Sequence, residues 1–371
     1  MLAFLLCLRL LAVGVGITPL FSLPGEPVYY REVLRALEEA QEEILVMLSD
    51  CRFYPEGSPV NGLLEALARA HRQGVTVRVL LEDHGIPDPE TEAAYRFLEG
   101  EGVEVRWDSP DVTLHAKLLV LDHRYVVVGS SPWTYNALFK SVQADLLIEE
   151  GDVAGTFAGF FRLIWEGRFK GRVEVMAPEP PALIPLPELP GAELHHHWAL
   201  RLLEGATRSI SLALYKLGYY PQYPTSPSNE LIAALLDAAA RGVLVRVLLE
   251  GGEDYADLEF AREARKTATY LRLNGVRVRF DPTGETLHAK LLVVDGEDIM
   301  VSSANWSYYS LTRNVEAGVV ILGAPELGEL SQRFFLHLWH RAASTAEGDD
   351  PSQGHAVIGV PDVGCDLTGE G

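Results

Sequence analysis

Two stretches of the chain, TLHAKLLVLD at 113–122 and TLHAKLLVVD at 286–295, differ at one residue in ten, and each sets a histidine two residues before a lysine. Both read as strands, in which side chains alternate faces. His115 and Lys117 therefore point the same way, about 7 Å apart, as do His288 and Lys290, while Leu114, Ala116 and Leu118 turn to the core. One such pair is an ordinary polar rim. Two pairs on matching strands of a duplicated unit can meet at one cleft, if an internal pseudo-twofold sets the units face to face. That arrangement suits a phosphodiester. The lysines neutralise nonbridging oxygens, a neutral imidazole attacks phosphorus, and a protonated one donates to the leaving oxygen. Ser130 and Ser303, on the turns after the next strand, offer hydroxyl donors to the same oxygens. No metal or other cofactor is called for, because the lysines supply the fixed positive charge.

The elements that must position these groups are duplicated as well. NGLLEALARAHRQGVTVRVLLE (61–82) matches NELIAALLDAAARGVLVRVLLE (229–250) at an offset of 168, and Asp108 falls on Asp281 at an offset of 173. Asn61 and Asn229 are expected as helix N-caps, with Gly74 and Gly242 where those helices end. Each half alternates helix and strand, which predicts an α/β fold. Two tandem α/β/α-layered halves are expected, with mixed sheets related by a pseudo-twofold and the active site at their interface. The halves are read as 26–176 and 192–345. The proline-rich stretch 177–191 between them, with six prolines in fifteen residues, is expected as a stiff linker, and 346–371 as a disordered tail.

The formal net charge of -21 argues against tight nonspecific binding to long nucleic acid or to an anionic bilayer. The apolar stretch Leu10–Phe21, preceded by Arg9, reads as a secretory signal or an uncleaved anchor within residues 1–25, with a buried helix as the remaining alternative. The expected location is then secreted, periplasmic or membrane-anchored, facing outside the cytoplasm. There Cys51 and Cys365 would either pair or remain free thiols.

The sequence HxKxxxxD, followed after six residues by GS, resembles the signature of the phospholipase D superfamily. Both copies carry it: His115, Lys117, Asp122, Gly129, Ser130, and His288, Lys290, Asp295, Ser302, Ser303. The resemblance spans about 26–345 and implies a phosphohistidine intermediate, with His115 as nucleophile and His288 as general acid. It implies that Asp122 and Asp295 brace the motif. It also implies that a downstream acid orients each histidine, matched by Glu316 in the second copy and by Asp145 in the first. The family's GSxN extension survives as Asn305, whereas Pro132 stands at the matching place in GSSPW, and Ser302 replaces the usual glycine.

Aromatic loops at 51–59 and 215–224, with Trp133, Tyr135, Trp306, Tyr308 and Tyr309 after the serines, suit a lipid interface, stacking on unpaired bases, or packing between the halves. The expected partner is a phospholipid or other phosphodiester at a possible membrane surface, with headgroup hydrolysis or transphosphatidylation as the reaction. Nucleic acid is the less favoured substrate, a weakly catalytic scaffold is the third reading, and no protein partner is expected. The run His195, His196, His197 reads as a solvated helix start. The acidic group Glu250, Glu253, Asp254, Asp257 reads as a loop and first helical turn.

Overall fold

The computed structural model describes residues 10–12, 14–86, 88–170, 180–252 and 258–342. Its first half contains, in chain order, β1 (Leu10–Ala12), β2 (Val15–Pro19), α1 (Val28–Glu39), β3 (Glu43–Leu48), α2 (Asn61–Arg72), β4 (Thr76–Leu81), α3 (Pro89–Gly100) and β5 (Glu104–Trp107). It continues through β6 (Lys117–Leu121), β7 (Tyr125–Gly129), α4 (Tyr135–Phe139), β8 (Ser141–Val142), β9 (Asp145–Glu149) and α5 (Gly151–Trp165). Except for β8, these strands form one sheet in the order β1-β2-β9-β7-β6-β3-β4-β5. The helical crossovers α2 and α3 make β3, β4 and β5 parallel, while β6, β7 and β9 run antiparallel.

The second half repeats the plan with β10 (Ala182–Glu188), α6 (Leu194–Gly205), β11 (Ser209–Leu214), α7 (Pro227–Ala240), β12 (Leu244–Leu249), α8 (Leu258–Leu273) and β13 (Arg277–Phe280). Then come β14 (Thr286–Leu287), β15 (Lys290–Val294), β16 (Asp298–Ser302), α9 (Tyr308–Thr312), β17 (Glu316–Leu322) and α10 (Pro325–Arg341). Its sheet runs β10-β17-β16-β15-β11-β12-β13, and β14 pairs instead with β8 of the first half. Strand β7 packs on β16 and β17, so Val126, Val128, Val301 and Val319 share one apolar cluster that crosses between the halves. The expected α/β architecture with two mixed sheets is therefore present. Burial on both faces explains why these strands read as continuous Val and Leu runs.

The reading of residues 1–25 as a leader or anchor is corrected over the described residues 14–25. β2 pairs antiparallel with β9 over Gly16–Pro19, and Ile17, Leu20 and Phe21 are fully buried. Phe21 stacks on Phe334 of α10, with ring centroids 4.6 Å apart. The apolar run is a sheet strand and its core contacts. No described helix is long and apolar enough to cross a membrane. The location outside the cytoplasm was drawn from that run and falls with it.

Within the stretch read as a linker, Ala182–Glu188 is a strand paired with β17 at the sheet edge. Pro185 and Pro187 lie on the same side of it, where an edge strand needs no ladder donor. Asn61 and Asn229 are not N-caps. Each closes a ring with the backbone of a tyrosine, Tyr54 and Tyr220, accepting from its N–H and donating to its carbonyl at 2.7–2.9 Å. The run at 195–197 also differs from expectation: His195 is fully buried and its Nδ1 lies 2.9 Å from Glu188. The expected tail, Cys7, Cys365, and Glu253, Asp254 and Asp257 of the acidic group lie outside the described residues. Cys51 is a free, buried thiol.

Candidate active site

Each histidine sits just ahead of its strand, in a segment docked on the opposite half. The His115 N–H donates to the carbonyl of Val315 at 2.9 Å, and the Val315 N–H to that of Thr113 at 2.8 Å. In mirror fashion, Leu287 of β14 pairs with Val142 of β8, and the His288 N–H donates to the Val142 carbonyl at 2.9 Å. One residue beyond each docking partner comes the side chain that orients the imidazole. Glu316 follows Val315, and its carboxylate oxygens lie 2.8 and 2.9 Å from His115 Nδ1. Gln143 follows Val142, and its Oε1 lies 3.1 Å from His288 Nδ1.

The group at His288 Nδ1 is therefore Gln143, where the sequence led us to expect Asp145. Asp145 instead accepts from the Ser131 N–H at 3.0 Å and the Ser131 hydroxyl at 2.6 Å. The constant offset of 173 that relates His115 to His288 also relates Gln143 to Glu316, and that signal was legible in the sequence. The serines are engaged too. Ser303 donates to Glu316 at 2.5 Å and accepts from the Ala317 N–H, while Ser130 donates to Gln143 at 2.7 Å and accepts from the Ala144 N–H. Both serines are fully buried, so their hydroxyls hold the orienting groups in place, whereas sequence reasoning aimed them at substrate.

An acceptor at Nδ1 selects the tautomer that carries its proton there, which leaves the Nε2 lone pair free. Burial holds the His115 imidazole below its usual range, against the raising pull of Glu316. His288 is held well below that range by burial and then by Lys290, Lys117 and His115. Burial lowers the Lys117 ammonium to about 8, although Glu316 and Asp50 oppose the shift. Lys290 is also well below its ordinary value, through burial and the Lys117 charge. Each ammonium donates to the carbonyl of its own motif's histidine, at 2.6 Å for Lys117 and 2.7 Å for Lys290. Lys290 also lies 3.1 Å from His288 Nε2. For Glu316, burial would raise the carboxyl, but His115, Lys117 and the Ser303 bond bring it to about 2. The result is two imidazoles biased toward their neutral forms beside two buried lysines, with the Glu316 carboxylate as counter-charge at His115 and only an amide at His288.

The departures from the signature form a reciprocal exchange. A Cβ at Gly129 would lie 2.5 Å from the Ala144 carbonyl oxygen and the Asp145 Cα, so glycine there makes room for Asp145. In the second half the bulk is reversed, with Ser302 facing Gly318. Asp145 is fully buried, and burial lifts its carboxyl to about 7 against the two Ser131 bonds. Asn305 Oδ1 is buried without a donor, and Pro132 at the matching position lines a cleft that reaches His288.

Asp122 and Asp295 lie at the far ends of their strands from the histidines. Asp122 accepts from the N–H groups of Gln41, Glu42 and Glu43, and Asp295 from those of Thr207, Arg208 and Ser209, all within 2.7–3.1 Å. They fasten the entries to β3 and β11. Sequence reasoning missed Gln143 and took Tyr215 only as part of the aromatic loop 215–224; its ring stands 5.0 Å from that of His288 and 5.2 Å from the Lys290 ammonium. Trp133 and Trp306 are core residues, while Tyr135, Tyr308 and Tyr309 are exposed. No described cluster of His, Cys, Asp and Glu is arranged to hold a metal ion.

The family model for the cardiolipin synthase, PLD-like domain matches twice, at residues 33–165 and 199–339. Cardiolipin synthase B of Escherichia coli (strain K12) is 26% identical over 320 residues, covering 79% of this chain and 74% of that protein. Cardiolipin synthase A of Citrobacter koseri is 26% identical over 306 residues, covering 74% of this chain and 60% of the other. A crystal structure of phosphatidylserine synthase from Haemophilus influenzae Rd KW20 shares the fold with a TM-score of 0.69, at 13% identity over 88% of this chain and 87% of that one. With two matched segments that each contain one His-Lys pair, the chain belongs to the phospholipase D-like family of the cardiolipin synthase type and is a phospholipase D-like phosphodiesterase or phosphatidyltransferase.

Proposed function

We propose that the chain cleaves a phospholipid phosphodiester in two steps and hands the phosphatidyl group to an alcohol, with water as the competing acceptor. The observation that carries this reading is the unequal orientation of the two imidazoles, His115 by the Glu316 carboxylate and His288 by the Gln143 amide. A carboxylate at Nδ1 raises the basicity of Nε2 and stabilises the cationic phosphoimidazole that attack would create, which favours His115 as nucleophile. The diester anion, bound between Lys117 and Lys290, adds negative charge beside His288, whose own partner is a neutral amide, and so favours a proton on His288. His115 Nε2 bonds to phosphorus as the headgroup oxygen departs with the His288 proton. The acceptor hydroxyl then returns a proton to His288 and attacks phosphorus, which releases His115.

Three features favour lipid over nucleic acid. The relatives bear the names of lipid synthases. The cation lining the cleft, Arg52, is already matched by Asp50, Asp88 and Glu90 at 3.1, 2.9 and 2.7 Å, a poor seat for a second backbone phosphate. The exposed rings of Tyr135, Tyr308 and Tyr309 suit a membrane interface.

The test is turnover of phosphatidylglycerol vesicles, read for released headgroup and for the transfer product, beside digestion of single-stranded DNA. Lipid turnover that is lost in His115→Ala and His288→Ala, with the phosphatidyl group trapped on His115 of the unsubstituted protein, is the expected result. Cleavage of DNA alone would overturn the lipid assignment.

A further inference from the structure

Apart from the reacting groups, each half sets two carboxyl groups in contact. In the first half they are Glu82, after β4, and Asp108, after β5. In the second they are Glu250, after β12, and Asp281, after β13, at the matching places of the repeat. The two carboxyls of each pair stand close enough to act on one another's ionisation. Two ionised carboxylates offer only acceptors and repel, so such a pair is favourable when it holds one proton between its members. Asp108 Oδ1 accepts from the Asp83 N–H at 2.7 Å, whereas its buried Oδ2 has no fixed donor. In the second pair, Glu250 Oε2 and Asp281 Oδ2 converge on one amide, that of Leu287, at 2.8 and 2.9 Å. Their other oxygens accept from the N–H groups of Gly252 and Gly251, at 2.8 Å each.

The atoms that these pairs hold point to a role. Glu82 accepts from the backbone N–H of Leu114, and the second pair accepts from that of Leu287. Leu114 immediately precedes His115 and bridges to Val315, while Leu287 precedes His288 and pairs with Val142. We propose that Glu82 with Asp108, and Glu250 with Asp281, are positioning residues. Each pair shares one proton and clamps the amide before a reacting histidine, which sets that histidine against its orienting partner in the other half. Burial pushes the Glu82, Asp108 and Asp281 carboxyls up, and the partner carboxyl adds to the rise for Glu82 and Asp281. The charged neighbours are Asp83, His84 and Lys117 at the first pair, and Lys216 and Glu263 beside Glu250.

The inference rests on the two histidines being the reacting pair and does not depend on the lipid, so kinetics are read on vesicles and on bis(4-nitrophenyl) phosphate. Asp281→Ala is expected to lower kcat about 10- to 100-fold with KM nearly unchanged, as a displaced reacting group does. Asp281→Asn offers Glu250 an amide donor at the cost of one of the two oxygens that accept from Gly251 and Leu287, and is expected to restore part of kcat at pH 7. A folded Asp281→Ala enzyme with normal kcat, or an Asn variant no better than Ala, would overturn the proposal.

A readout without activity covers a variant that fails to fold or a diester that is not turned over. A carboxyl raised in the folded state stabilises fully below the ordinary carboxylate range, and that contribution is lost as pH rises toward its folded value. The Tm of the native protein is expected to fall from pH 6 to 9 more steeply than that of Asp281→Asn. Equal slopes would show that no shared proton is present.

Discussion

The Glu316 carboxylate lies 2.8 Å from Nδ1 of His115, although 201 residues separate them in the chain and they belong to opposite halves. The corresponding contact to His288 is made by an amide, Gln143, at 3.1 Å. Two nearly identical motifs thereby become chemically unequal. The inequality comes from their partners, since the ten motif residues differ only at Leu121 and Val294.

Replacing Glu316 by Gln removes the charge that would stabilise a cationic phosphoimidazole while keeping an acceptor in reach. Turnover is expected to fall by a factor on the order of 10² or more, with the fold intact, by analogy with removal of the charge that orients a catalytic imidazole. Gln143→Glu should cost far less and should raise the His288 imidazole, which moves upward the pH at which the general acid loses its proton. Single-turnover rates of both variants across pH 5–9 measure this, and equal losses at the two sites would contradict the assigned asymmetry.

Lys117 sets the alkaline side. Its ammonium is the form that neutralises phosphate, and burial brings it to about 8. Activity should therefore be present below pH 8 and decline as the proton is lost above it. In Lys117→Arg the charge survives at high pH, so the limb should move upward even though the changed geometry lowers the plateau. A profile of kcat/KM against pH for the two proteins tests this.

Gly129 carries the first half's share of the glycine exchange. An alanine there would place its Cβ 2.5 Å from backbone atoms of Ala144 and Asp145, which cannot give way as a flexible side chain would. Gly129→Ala should cost about 1–3 kcal/mol or more, the range for overpacking. Ser302→Gly creates no clash but removes the hydroxyl that accepts from the Ala304 N–H at 2.7 Å, a loss of about 1–3 kcal/mol when the buried donor is left unpaired. Urea unfolding midpoints compare them.

The N-terminal strand offers a sharp test of the corrected reading. Deleting residues 1–24 removes β2 and the buried side chains of Ile17, Leu20 and Phe21. At about 1.5–3 kcal/mol for each large apolar side chain withdrawn from the core, the loss is comparable to the whole stability of an ordinary domain. The truncated chain should be insoluble or unfolded by circular dichroism, while the full chain is folded. A stable, active protein beginning at residue 25 would restore the leader reading.

The two His-Lys motifs, the α/β alternation and the duplication were all legible in the chain, because they depend on local spacing and on self-similarity. The site's asymmetry was half legible: the offset of 173 aligns Gln143 with Glu316, but only docking of the halves shows that each serves the other half's histidine. Hydrogen bonds between residues so distant in sequence depend on which strands meet, and no local pattern encodes that. The apolar run Leu10–Phe21 shows the same limit from another side. A buried strand and a leader share one composition, and what separates them is the partner, here β9, that accepts the backbone hydrogen bonds. The roles of Ser130, Ser303 and Asp145 were likewise decided by tertiary structure, since a buried polar group takes whichever partner packing brings within 3 Å.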